Sequence, residues 1–394
     1  MVKCNINAWY MDFCGRINIF ILKDWSLLIN MENFIPLSTK MPEKLLQEDY
    51  ENADDFDKEQ KDAVVLMEEA EKYLKEEILS RGIEIEEEDL NKTALLGPEF
   101  TELTSTPGEV GAKRSVLNPY FAAAMIRYFR EAGLKRGDKI AIGTTGSFPG
   151  LVIATLTASK VYGLDVYLTA SVGASMHGAT RVEYNIFDII KALRDGGFAS
   201  YHLVGVSCGS KNDQGGSVLE GILYEGTPEL SYELCKEASL WSGAEIIHYE
   251  NLTDSIRRHL ELLGEDVKMF INIGGASVNS GTSAYTLDFP QGLVLDPPKI
   301  PEGDNIGLNY EYAKRGIPVL NLLNVKKLCQ DNSISFDPFP LPKAEDYASY
   351  TQPVYSKALI AVFLSLFFIT LIIAVVDSKV ETKEDKKDER KERR

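Results

Sequence analysis

The sequence predicts an α/β fold: an open, mainly parallel, Rossmann-like sheet with helices on both faces. An N-terminal helical arm precedes it and one C-terminal transmembrane helix follows it. Three observations lead there. Short apolar runs alternate with helical patterns from residue 139 to 273. Four of those runs end in Gly/Ser-rich loops. Finally, Ala358 to Val376 is a stretch of 19 residues without a charge.

The alternation comes first. Strands are expected at 139–143, 165–171, 201–208, 244–249 and 267–273, and helices at 150–162, 185–195, 229–241 and 253–263. Strand–helix–strand units of this spacing build a parallel sheet. Right-handed crossovers distribute the helices over both faces. Ile317 to Leu323 reads as one more strand, with a short helix to Cys329.

The loops are the informative part. After the first strand come Gly143, Thr144, Thr145, Gly146 and Ser147, and after the second Ser171, Val172, Gly173, Ala174 and Ser175. The third is followed by Gly209 to Gly216, which contains Asp213, and the fifth by Gly274, Gly275, Ala276 and Ser277. In a parallel sheet these ends share one edge, and ligands bind in the crevice outside it. Taken singly, Thr144–Ser147 serves equally as a plain turn or as an anion cradle at a helix N-terminus. Four such loops together favour a site that holds an oxygen-rich ligand.

The arm spans residues 59–133. Ala63, Leu66, Met67, Ala70, Tyr73, Leu74 and Ile78 follow helical spacing, with Gly82 as the stop. An irregular stretch over 84–118 ends in the basic pair Lys113-Arg114, an anion clamp or an ordinary surface pair. Asn118-Pro119 opens a helix that runs to about Gly133. The expected organisation is a poorly defined segment at 1–58, with 42–60 a polar linker, then the arm and an α/β domain at 134–330. A tether at 331–357, the membrane helix at 358–376 and a charged tail at 377–394 complete it. Residues 276–315, with Pro290, Pro297, Pro298 and Pro301, read as a long loop. Met31 and Met41 offer alternative starts.

Charge and motifs narrow the chemistry. A net charge of −17 over 394 residues argues against non-specific nucleic-acid binding. Five scattered cysteines and four histidines lack metal-ligand spacing, so neither a metal nor a cofactor is expected. Ser147 is not in a G-x-S-x-G elbow, because positions 145 and 149 are Thr and Pro. Candidate bases are His177 and His202, with nothing to order a triad. No G-K-[ST] follows the first loop, and Gly143 and Gly146 depart from G-x-G-x-x-G, which leaves nucleotide binding a weak alternative. At about 1.5 Å per residue the 358–376 run nearly spans a hydrocarbon core of about 30 Å. Eight Lys/Arg beyond it favour the tail in the cytoplasm and the α/β domain outside; tail anchoring with a cytoplasmic domain is the alternative.

One resemblance adds to this reading. The run GTTGSFPGLVIATLTASKVYGLDVYLTASVGASMHGA resembles the core signature of the bacterial poly-gamma-glutamate system protein family. Glu109 with Ala112-Lys113-Arg114, Asn118-Pro119, Phe270 to Gly275 and Gly316 to Val325 are similar to its flanking segments. The resemblance covers about 60–376 and departs at His177, where an aromatic residue is expected. It implies a membrane-associated component of poly-gamma-glutamate synthesis or export in the bacterial cell envelope. Its partners would be the polymer or a glutamyl ligand, an ATP-using amide ligase and other membrane subunits of capsule assembly. It carries over no catalytic residue.

Two main readings follow, with a nucleotide-binding membrane protein as the third. One is a membrane-anchored accessory protein that binds carboxylates through Lys113, Arg114, Thr144, Thr145, Gly146, Ser147, Ser171, Gly173, Ser175, Asp213, Gly274 and Gly275. The other is a hydrolase or transferase acting on gamma-glutamyl bonds, with Ser147 or Ser175 as the catalytic candidate.

Overall fold

A computed structural model of the chain describes residues 43–282, 285, 288–347 and 362–372, with side chains from 56 onwards. The chain divides into two compact units, 1–55 and 56–394. In the first, the described backbone (43–55) is helical and belongs to helix α1, Glu43–Ser80. The polar linker expected at 42–60 is therefore helix from Glu43 on. Its glutamates and lysines are good helix formers even where no apolar stripe marks a face.

In the second unit, Ala63, Met67, Ala70, Leu74 and Ile78 form the buried stripe of α1. Strand β1 (Thr104–Thr106) and the short helix α2 (Val110–Ser115) follow. Helix α3 (Tyr120–Glu131) leads into β2 (Lys139–Thr145). Next come α4 (Pro149–Tyr162), β3 (Asp165–Ser171) and a two-residue β4 (Ala174–Ser175). The chain continues through α5 (Ile186–Asp195), β5 (His202–Ser207), α6 (Thr227–Ser242), β6 (Glu245–Ile247) and α7 (Leu252–Leu263). It then forms β7 (Met269–Ile273), α8 (Ser277–Ser280), β8 (Gly292–Val294), α9 (Gly307–Lys314), β9 (Val319–Leu322) and α10 (Val325–Asp331).

Among the described residues seven strands make the main sheet, in the order β6-β5-β3-β2-β7-β9-β8. All pairs are parallel except β8 with β9. The chain starts in the middle at β2 and works outward through β3, β5 and β6. It then crosses back to β7 and β9 on the other side. The reversal of strand order lies between β2 and β7, and in such sheets the crevice at the C-terminal ends of those two strands is the binding position.

Side chains alternate between two cores, as the period of a strand requires. Ile140, Ile142, Ile271 and Ile273 enter the core shared with Met67, Phe121, Leu156 and Ile189. Ala141 and Phe270 enter the opposite core with Leu260, Leu308 and Tyr312. Phe270 and Tyr312 stack there at 4.6 Å. The expected arm and α/β domain thus share one hydrophobic core. Helix α4 is buried from Pro149 to Ser159 and reaches solvent only in its last turn, at Lys160; Thr155 and Thr157 donate their hydroxyl protons to the carbonyls of Leu151 and Ile153.

The stretch 276–315 is not one long loop, because it contains α8, β8 and α9. Its prolines mask three short elements whose stability is tertiary. Leu308, Tyr310 and Tyr312 of α9 are buried, and β8 pairs with β9. The described part of the expected tether packs on the body: Asp337 meets Arg114, Asn91 binds the Pro338 carbonyl and the Leu341 N–H, and Tyr347 stands edge-on to Tyr120. Of the run at 358–376, residues 362–372 are helical with exposed apolar side chains, and the rest lies outside the described residues. No helix among the described residues is long and apolar enough to cross a membrane.

Candidate functional site

At the switch point the sheet edge opens into a cavity of about 450 Å³. That is within the usual size range of small-molecule sites. Thr145, Ser147 and Phe148 line it from the β2 loop, Gly173 and Ser175 from the β3 loop, and Gly275 and Ser277 from the β7 loop. Ser210 and Lys211 come from the β5 loop. The irregular arm closes one side. Its β1 pairs in parallel with β4, the Ala174 N–H donates to the Leu103 carbonyl, and the Met176 N–H donates to that of Thr106. This pairing carries α2, and with it Lys113, over the sheet edge.

Lys113 is the centre of the cavity wall. Its side chain is 2 % exposed. The ammonium donates to the backbone carbonyl of Ser147 and, at 2.5 Å, to the hydroxyl of Ser175. It also sits 4.1 Å from the centre of the Phe148 ring, a cation–π contact that offsets part of the lost hydration. No carboxylate ion-pairs with it among the described residues. Burial therefore dominates and pushes its pKa down to about 7.

The sign of the resulting pH dependence is fixed. Unfolded, Lys113 holds its proton to about pH 10.4; folded, it releases it near 7. Between these values the unfolded chain binds one more proton, so stability rises with pH. We expect a gain of about 1.5 kcal/mol between pH 7 and 8.5 from this residue, at about 1.4 kcal/mol per pH unit once it is neutral. Urea midpoints of the natural chain and of Lys113→Met check it: the variant should lose this rise. The window stops short of pH 9, where the buried Cys329 thiol, pushed up to about 11, begins to act in the opposite sense.

Ser147 and Ser175 are joined directly. The Ser175 N–H donates to Ser147 Oγ at 3.1 Å, and the Ser147 N–H donates to Thr145 Oγ1 at 3.1 Å. The Gly146 N–H reaches the Gly173 carbonyl. The N–H groups of Gly146 and Ser147 are thus satisfied by the β3 loop and by Thr145, and the positive charge available to an anion comes from lysine side chains. Gly274, at φ 95°, leaves the space in which a Cβ would meet Thr145 Oγ1 at 2.4 Å.

The structure separates the remaining expected residues. Arg114, next to Lys113, turns away and makes a two-pronged pair with Asp337 at 2.6 Å, fixing the chain after α10. Thr144 is buried under the loop, and its hydroxyl donates to the Thr145 carbonyl. Ser171 shares a hydrogen bond with Ser207 beneath the cavity. The Asp213 carboxylate points into the protein, where it accepts from Ser207, Gly209 and Ser255 and meets His259. Gly146 and Gly274 shape the wall from behind. His177 is buried in a left-handed turn, and His202 stands at the N-terminal edge of the sheet beside Asp165. Neither lines the cavity.

Sequence reasoning missed Lys211 and Lys326. Lys211 is exposed on the β5 loop and has no ion-pair partner among the described residues. Lys326, at the start of α10, pairs with Glu109 at 2.7 Å across the mouth. Their signal was weak: Lys211 lies within a loop noted for its glycines, and Lys326 follows a motif noted for its apolar residues. Comparison with protein-family models, curated proteins and solved structures returned no match.

Proposed function

We propose that this chain is a membrane-anchored component of poly-gamma-glutamate assembly or export that holds a carboxylate-bearing glutamyl chain in the cavity. The observation that carries the reading is a lysine-lined cleft at the switch point of a strongly acidic protein. Lys113 lies inside it and Lys211 and Lys326 on its rim, while the chain as a whole carries −17. The acidic remainder repels a polyanion, so attraction is concentrated at the cleft. Pathway and membrane anchor rest on the resemblance described above and on the uncharged run at 358–376.

Titration calorimetry with γ-linked and α-linked glutamate oligomers tests it. The γ-linked oligomer is expected to bind and to lose roughly tenfold or more with Lys211→Glu plus Lys326→Glu, because each rim cation would become a repulsive charge. Binding should weaken as salt rises. Equal affinity for both linkages, or affinity indifferent to the two rim charges, counts against the reading.

A further inference from the structure

The cavity contains an arrangement that binding alone does not require. A buried lysine amine touches a serine hydroxyl, and a second serine is tied to the first. We infer that Ser175 and Lys113 form a nucleophile–base pair for acyl transfer, with Ser147 as the donor to the substrate carbonyl oxygen. Geometry assigns the roles. Lys113 Nζ reaches the side-chain oxygen of Ser175 but only the backbone carbonyl of Ser147. Ser147 Oγ accepts the Ser175 N–H, and its own proton has no acceptor among the described residues. That proton is therefore available to an oxygen entering the cavity. All three residues line the cavity wall.

The chemistry closes. At neutral pH burial leaves a substantial fraction of Lys113 uncharged, and the neutral amine accepts the Ser175 hydroxyl proton. The oxygen adds to the carbonyl carbon of an amide, whose π electrons move to the carbonyl oxygen facing Ser147. Collapse of the adduct breaks the C–N bond, and the departing amine takes the proton from Lys113. The acyl group is now an ester on Ser175. Water attacks that ester, Lys113 takes the water's proton, and the C–O bond breaks to return the proton to Ser175. The net change is amide plus water to carboxylic acid plus amine. Hydroxyl activation by a neighbouring base is the usual requirement for serine nucleophiles, and removal of such a base costs about 10²–10⁴-fold. That the amide belongs to a glutamyl chain rests on the function proposed above; the pair itself does not.

Diisopropyl fluorophosphate, which needs no glutamyl recognition, is the probe. The full chain is incubated with it from pH 6 to 8.5, and the modified residue is located by mass spectrometry. Modification is expected at Ser175, with a rate that rises through about pH 7. It should be absent in Ser175→Ala and at least 100-fold slower in Lys113→Met, with circular dichroism unchanged in both. No modification at Ser175, modification confined to Ser147, or a flat pH profile overturns the proposal. The profile of the natural chain decides even if Lys113→Met does not fold. Added γ-linked oligomer separates the two readings. Labelling of Ser175 that the oligomer neither slows nor competes with retains the pair and removes the glutamyl ligand. Oligomer binding without labelling does the reverse.

Discussion

Replacing Gly150 by alanine is expected to destabilise the chain by about 4 kcal/mol or more, among the largest effects of any single methyl group. Helix α4 enters the core with Pro149 at its first turn and Gly150 beside it. A Cβ at Gly150 would lie 2.2 Å from the Val116 carbonyl oxygen and 2.5 Å from its carbon. Both are backbone atoms, so no rotamer change relieves the overlap. Either α4 or the turn between α2 and α3 must shift. Overpacking a dense core typically costs 1–3 kcal/mol and more when backbone must move. The shift would also displace Phe148 and the Ser147 carbonyl from Lys113. Urea unfolding measures the loss, and diisopropyl fluorophosphate labelling reports the distortion. A midpoint within 0.5 kcal/mol of the natural chain would show that the approach of α4 to Val116 is looser than described.

Asp213→Ala is the second large effect, about 3–5 kcal/mol. The carboxylate is 3 % exposed and joins the end of β5 to helix α7. It accepts from Ser207 at 2.7 Å, from the Gly209 N–H at 2.9 Å and from Ser255 at 2.6 Å, and His259 lies 3.3 Å away. Truncation leaves these buried donors unpaired, and breaking a buried charged network costs in this range. The loop is held as well by the Gly215 N–H to the Gly209 carbonyl, by Ser210 Oγ to the Gly216 carbonyl and by the Gln214 side chain to the Tyr249 carbonyl, but of these bonds only those of Asp213 tie it to helix α7. Ser210, Asn212 and Asp213 all take positive φ, at 61°, 55° and 65°, a conformation that costs non-glycine residues of order 1–3 kcal/mol each. Without Asp213 the loop is expected to relax and carry Lys211 away from the cavity mouth. Two measurements check this: the urea midpoint, and the affinity for γ-linked glutamate oligomer, which should fall together. Loss of stability with affinity intact would show that Asp213 does not position Lys211.

The fold was largely legible because its signals are local and repeated. Strand β3 occupies the expected 165–171, and β2, β5, β6 and β7 differ from expectation mainly at their ends. Alternation of apolar runs with helical stripes fixes a parallel sheet, and a parallel sheet fixes which loops share an edge. That is why the Gly/Ser loops could be assigned to one crevice. Elements such as α8, β8 and α9 were not legible, because they are short and carry no periodicity of their own: β8 is held by pairing with β9, and Tyr312 of α9 stacks on Phe270 of β7.

By itself, then, the sequence determined the sheet, the edge at which the cavity opens and the presence of serines and glycines along it. Tertiary structure decided which residues face the cavity. Lys113 and Arg114 are neighbours on a six-residue helix, about 100° apart around its axis, and only the docking of α2 on the sheet edge sends one inward and the other to Asp337. Asp213 and Lys211 share a loop, yet a buried network draws one in and leaves the other at the rim. The lowered pKa of Lys113 comes from burial, which the arm and the loops after β2 and β3 impose together. Desolvation has no sequence signature, because it depends on what the folded chain places around a charge rather than on its neighbours in the chain.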